Sequence, residues 1–145
     1  MLASPGCWAA YTGLLGSSLA GMDLPSPHGS LTFDAYAVQH PGTPNPQATQ
    51  SVWVHLIALH LVLERGWPAA QLVRIRRLGA EAPHTWSWLV PPPSMGAVTA
   101  IDVATASRTD AAEAVRGWVE GSWAAWAMHH RLVAEVAERL VASSG

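Results

Sequence analysis

Histidines are the residues of this sequence best suited to chemistry. Seven occur in a chain in which only 12% of the residues are charged. His40 and His55 lie in a stretch that also holds Asp34, and His129 and His130 adjoin one another near the end of the chain. Imidazole takes up and releases protons near neutral pH, and neutral imidazole is a common metal ligand. The residue types therefore predict acid–base chemistry or a metal site.

Helical spacing separates the histidines of the stretch 34–60 into two groups. Gln47, Ser51 and His55 follow one another at four-residue intervals, which places them on one side of a helix that is otherwise apolar. His60 comes five residues after His55 and therefore projects roughly 140° away from it. We predict that His60 makes a helix-surface contact with Glu64, and that His55 is the better functional candidate of the two.

Three predicted helices can each bring a histidine to the interior, namely His40, His55 and either His129 or His130. Histidines that converge from facing helices are how bundle proteins bind metals. Three imidazoles suit zinc, and two imidazoles with Asp34 suit ferrous iron. Because no H-E-x-x-H spacing occurs, ordinary hydrogen bonds from these histidines to backbone carbonyls are an alternative.

A metal-free site is the second hypothesis for the same residues. Asp34, Tyr36 and Ser51 are the candidate catalytic residues, either beside a metal-bound water or in direct acid–base work with the histidines. Both hypotheses describe an enzyme or binding protein for a small-molecule substrate. A helical interaction module without catalysis is the third, with a homodimer formed through the apolar stripe of the C-terminal helix.

The elements that must position these residues are all helices. Proline after a capping residue, glycine stops and apolar periodicity predict helices over 5–19, 46–65 and 68–79, and a long one from 107 or 109 onward. A further helix is capped by Ser30 or Thr32 and ends at His40, where Pro41 follows. A capping box formed by Thr99 and Asp102 predicts a short helix that reaches about residue 106. A helix of that last length would exceed the domain, so we expect a break near Gly117 or Gly121. Arg74, Arg76 and Arg77 are predicted to be solvated, and the Pro-rich segment 84–95 to be extended.

The composition is that of one globular domain covering residues 1–145. Half of the residues are hydrophobic, the net charge is −2, and Cys7 is the single cysteine. These values disfavour a nucleic-acid-binding surface and an internal disulfide, and neither a signal peptide nor a membrane span is evident. We therefore expect a cytoplasmic, all-α bundle of four or five main helices around a buried central helix at 46–65.

Two weaker candidates have ordinary structural explanations. Cys7 near a helix start could be reactive, but it is also small enough for a core. Trp118, Trp123 and Trp126 could stack on a ligand, but their helical spacing is more typical of core packing. Eight tryptophans are present, and each indole N–H needs a hydrogen-bond partner wherever it is buried.

Several segments give the chain a family resemblance. They are SPGCW at 4–8, DAYAVQHPG at 34–42, QSVWVHLI at 50–57, LERG at 63–66, PPP at 91–93 and WAAWAMHH at 123–130. The chain thereby resembles an uncharacterised bacterial domain-of-unknown-function family, which implies membership without an assigned reaction. Its architecture is more loosely similar to that of the DinB-like helical metalloenzymes, whose three-histidine site lies in a four-helix bundle.

Overall fold

The computed structural model describes residues 27–81, 86–107 and 109–144, and this part of the chain is an all-α bundle. The predicted helix at 5–19 and Cys7 lie outside the described residues. Short 3₁₀ turns at His28–Leu31, Ala69–Gln71 and Ala127–His129 precede three of the α-helices. The α-helices are α1 (Thr32–Gln39), α2 (Pro46–Leu63), α3 (Leu72–Glu81), α4 (Ala100–Thr105), α5 (Ala111–Ala125) and α6 (His130–Ser144).

Helix α2 is the central element, as predicted, because it packs against α1, α3, α5 and α6. The Asn45 side chain caps its start by accepting a hydrogen bond from the Ala48 N–H at 2.8 Å, and Pro46 follows the cap. Gly66, with φ of 67°, lies just beyond its end. The middle of α2 is buried on nearly all sides, which removes its apolar residues from water and stabilises the bundle.

The break in the C-terminal helical region is at residues 126–129, so the predicted position at Gly117 or Gly121 is wrong. Both glycines lie inside α5. At the break, the Trp126 indole N–H donates to the Val38 carbonyl at 3.1 Å. The Trp123 carbonyl accepts from the Trp126 N–H and from Nε2 of His130. These contacts satisfy groups that a helix end leaves free, so the break coincides with a contact between Trp126 and α1.

Buried tryptophans join the helices through directed hydrogen bonds. The Trp118 indole donates to Oε1 of Gln39 at 2.8 Å, and the Gln39 amide donates to the carbonyls of Met95 and Val98. Trp123 donates to Oε1 of Glu64 at 2.7 Å. These contacts confirm that the buried indoles have partners and that the Trp118, Trp123 and Trp126 cluster belongs to the core.

Residues 86–99 connect α3 to α4 without regular structure, in agreement with the predicted extended segment. Gly96 in this connection has φ of 96° and lies against the backbone of Gly121 in α5. At the start of α4, the predicted capping box is confirmed, because Oδ2 of Asp102 accepts from the Thr99 N–H at 2.8 Å.

The apolar stripe of the C-terminal region is largely covered by the chain's own helices. Val115, Val119, Val133 and Leu140 are all buried within the bundle. The predicted homodimer through this stripe stays a prediction. Such a dimer could use only those residues of the stripe that are half-buried. Within the described residues, no helix combines the length and apolar character that crossing a membrane requires.

Candidate functional site

Asp34 and His55 form a buried pair between α1 and α2. Asp34 lies in the first turn of α1 and its side chain is fully buried, whereas the His55 side chain keeps 10% of its surface accessible. Oδ1 of Asp34 lies 2.7 Å from Nδ1 of His55. A buried carboxylate needs hydrogen-bond donors, so this pairing orients the imidazole as well as satisfying the acid. The structure thus joins two of the predicted site residues.

Arg76 completes this cluster, and its predicted solvation is wrong. Its Nη2 lies 2.6 Å from Oδ2 of Asp34, and its side chain is only 32% exposed. Arg76 is on α3, one turn after the buried Leu72, so it projects from the edge of the helix face that packs on α2. A sequence signal was available, because an aspartate expected inside a bundle requires a cation nearby.

The second ring nitrogen of His55 remains available for chemistry. Because a carboxylate only accepts, Nδ1–H is the donor to Asp34, and no described residue forms a hydrogen bond with Nε2. The Phe33 ring packs edge-on to the imidazole with 4.9 Å between centroids, and Phe33 is 53% exposed. The accessible part of His55 therefore lies beside an exposed aromatic ring at the protein surface.

Tyr36 and His40 lie together but apart from the Asp34 side of α1. Tyr36 follows Asp34 by two residues and so projects roughly 200° around the helix from it. The rings of Tyr36 and His40 have centroids 4.7 Å apart. Nδ1 of His40 is buried without a hydrogen-bond partner among the described residues, and burial lowers the pKa of His40. His40 is the C-cap residue of α1.

His129 and His130 each bind a backbone carbonyl. Nε2 of His129 lies 2.9 Å from the Val90 oxygen, and Nε2 of His130 lies 2.8 Å from the Trp123 oxygen. The His130 ring also stacks on the Trp123 indole, with 3.7 Å between centroids. Both histidines are half-buried, so the question of which one points inward has no single answer. Their ring contacts fix the end of the break, at His129, and the start of α6, at His130.

His60 occupies a different environment from the one predicted. It is buried and has its ring 6.0 Å from the Trp123 indole, while Glu64 accepts from that indole rather than from His60. Nε2 of His60 is buried without a partner among the described residues. Burial lowers the pKa of His60, Arg65 and His130 add to the effect, and Glu64 opposes it. The predicted surface contact with Glu64 is therefore wrong.

The other predicted site residues do not join the Asp34–His55 pair. Ser51 is exposed, and no side-chain hydrogen bond holds it within the described part of the chain. Across residues 27–81, 86–107 and 109–144, no three His, Cys, Asp or Glu side chains are grouped closely enough to hold a metal ion. The histidines predicted as ligands are thus not gathered into one site by the described residues. Asp34, His55 and Arg76 form the candidate functional site.

Comparisons with known proteins identify a family but not an activity. No curated protein and no solved structure matches the chain, and a similarity to DinB-like enzymes is not shown. The model of one family, described as a family of unknown function, matches residues 1–127. These residues include α1 to α5 and all three members of the candidate site. The chain therefore belongs to DUF5946, a family of unknown function.

Proposed function

We propose that this protein is an enzyme acting on a small molecule, with His55 as its general acid–base group. The observation that carries the proposal is the 2.7 Å contact between Nδ1 of His55 and the fully buried carboxylate of Asp34. A carboxylate on one ring nitrogen fixes the tautomer and the ring orientation, and this directs the other nitrogen at the substrate. The partial accessibility of His55 gives a small molecule a way to reach that nitrogen.

The charges of the cluster support a proton transfer at Nε2 of His55. With a neutral imidazole, the Asp34 carboxylate is balanced by the Arg76 guanidinium. When Nε2 takes a proton from a substrate, the resulting imidazolium lies against Asp34, which stabilises it. Arg76 holds the second carboxylate oxygen at 2.6 Å and so keeps Asp34 in place. Asp34 and Arg76 are positioning residues, whereas His55 is the residue that would contact the substrate.

The first experiment tests the tautomer without knowledge of the substrate. Long-range ¹H–¹⁵N NMR spectra of histidine side chains distinguish Nδ1–H from Nε2–H imidazole. We expect His55 to carry its proton on Nδ1 at neutral pH, because Asp34 accepts a hydrogen bond there. Asp34→Leu should abolish this preference. A His55 ring protonated on Nε2 in the unchanged protein would contradict the proposed role.

The second experiment tests activity on small molecules from a cell extract. Purified protein is incubated with the extract, and its metabolites are compared with those left by His55→Gln. Loss of a general acid–base group slows a reaction by about 10²–10⁴-fold, so conversion should nearly disappear in this variant. His28→Gln is the matched control, since His28 pairs with Glu120 at the surface. Conversion by His55→Gln equal to that by the unchanged protein, or no conversion by the unchanged protein, would refute the enzyme proposal.

A divalent metal ion, zinc or iron, is the second candidate for the same imidazole. The observation that favours it is again the Asp34 contact, because metal-binding histidines commonly donate their other ring N–H to a carboxylate. Metal analysis of protein purified without a histidine tag tests it. This alternative requires ligands besides His55, since the described residues group no three such side chains there. It predicts one ion per chain in the unchanged protein and loss of that ion in His55→Gln. Sub-stoichiometric metal, with no uptake from added zinc or ferrous iron, would contradict it.

A further inference from the structure

A cavity lies on the side of α2 that faces away from His55. Trp53, which forms part of its wall, precedes His55 by two residues and so projects roughly 200° around the helix from it. The cavity has a volume of about 480 Å³. Small-molecule sites in proteins typically measure about 300–1,000 Å³, so this cavity is large enough for a ligand. None of the described residues that line it is a histidine.

Two walls border this cavity, which is partly open to solvent. One wall is a face of α6, on which the lining residues recur at helical spacing: Leu132, Val136, Arg139, Leu140 and Ser143. The other contains Trp53 and Trp86, whose rings stack with 5.3 Å between centroids. The Trp53 indole donates to the Ser87 carbonyl at 2.7 Å, which fixes the extended segment against α2. The walls therefore offer flat aromatic and branched aliphatic surface.

Arg139 provides the charge at this cavity, and its guanidinium is not used elsewhere in the described structure. On the same helix, Arg131 pairs with Glu135, and Glu138 pairs with Arg65 at the end of α2. Arg139 forms no ion pair or hydrogen bond with any described residue. The Ser143 hydroxyl already donates to the Leu140 carbonyl. The donor available to a ligand on this wall is therefore the arginine.

We propose that this cavity binds an amphipathic monocarboxylate with an aromatic or branched apolar body. The body packs between the stacked indoles and the Leu132–Val136 surface, which removes apolar area from water. The carboxylate binds the guanidinium of Arg139, whose planar fork matches its two oxygens. A single cation at the edge of an apolar cavity favours one negative charge. The site is independent of the acid–base role proposed for His55.

The test compares 4-phenylbutyrate with its neutral amide, 4-phenylbutyramide. Binding is followed by ¹H–¹⁵N NMR of the Trp53 and Trp86 indole N–H groups, which suits weak ligands. We expect the carboxylate to bind about fivefold to tenfold more tightly than the amide, because a charge-assisted hydrogen bond is lost in the amide. Arg139→Gln should remove this difference. Arg131→Gln is the matched control on the same helix, since Arg131 is exposed and paired with Glu135.

Further measurements distinguish the contribution of the cavity from that of the Arg139 charge, and the cavity from the site at His55. Ser143→Trp is expected to fill the cavity and so weaken the binding of both ligands. Acetate is expected not to displace 4-phenylbutyrate, because acetate lacks the apolar body. His55→Gln should leave binding unchanged. Equal affinity for acid and amide, an unchanged preference in Arg139→Gln, or displacement by equimolar acetate would each overturn the proposal. Failure of the acid–base experiments would leave these results unaffected.

Discussion

Replacing Arg76 with methionine removes the cation that balances the fully buried carboxylate of Asp34. The guanidinium is the one donor that the described residues provide to Oδ2 of Asp34, at 2.6 Å. In Arg76→Met, a buried charge retains only His55 as a partner. Methionine preserves much of the aliphatic stem, so the change acts mainly on the ion pair and its hydrogen bond.

The expected destabilisation follows from the burial of the two partners. Breaking a fully buried ion pair costs about 3–5 kcal/mol. The Arg76 side chain is 32% exposed, so water replaces part of the lost interaction. Arg76 also has a buried Nε with no partner among the described residues. Because methionine removes this unsatisfied donor, about 1 kcal/mol of the destabilisation is offset. We therefore expect the free energy of unfolding to fall by about 2 kcal/mol, and Tm by about 6–8 °C.

Urea and thermal unfolding followed by circular dichroism measure this effect. Arg77→Met is the matched control, because Arg77 is the next residue of α3, is exposed and has no partner in the described structure. It should change the free energy of unfolding by less than about 0.5 kcal/mol. If the free energies of unfolding of Arg76→Met and Arg77→Met differ by less than about 0.5 kcal/mol, Arg76 does not stabilise the ionised Asp34. The proposed positioning role is then refuted.

Two further predictions concern a buried histidine and a close backbone approach. Burial lowers the folded-state pKa of His60, so the unfolded chain binds more protons below about pH 6.5 and stability falls as the pH is lowered. Urea unfolding of His60→Phe between about pH 7 and pH 5 should show a smaller fall, and an equal fall would contradict this. Gly96→Ala should cost about 1–3 kcal/mol in thermal unfolding, because φ is 96° and the new Cβ would lie 3.1 Å from the Gly121 oxygen. Gly66→Ala, with positive φ but no atom within 4 Å of the added Cβ, should cost less, and the reverse order would refute the contact argument.

Local signals in the sequence were sufficient for most of the helices. Asn45 before Pro46 predicts the start of α2, and the Thr99–Asp102 capping box predicts the start of α4. Apolar periodicity further identifies α2 as the central helix. These predictions hold because caps, proline and periodicity act within one or two turns of the chain. Two members of the candidate site, Asp34 and His55, were already candidates in the sequence, and the structure pairs them.

Contacts between distant parts of the chain determined the remainder. Arg76 reaches Asp34 across a sequence separation of 42 residues, and Gln39 meets the Trp118 indole across 79. The helix break begins at Trp126 rather than at a glycine, and there the Trp126 indole N–H donates to the Val38 carbonyl of α1, 88 residues away in sequence. Spacing along a helix predicts the face on which a side chain lies, but its partner is set by which helices pack together. The sequence by itself thus determined the helices and two of the site residues. The tertiary structure alone decided that His55 is held by an Asp34–Arg76 ion pair, because a buried carboxylate binds whichever donors packing brings to it.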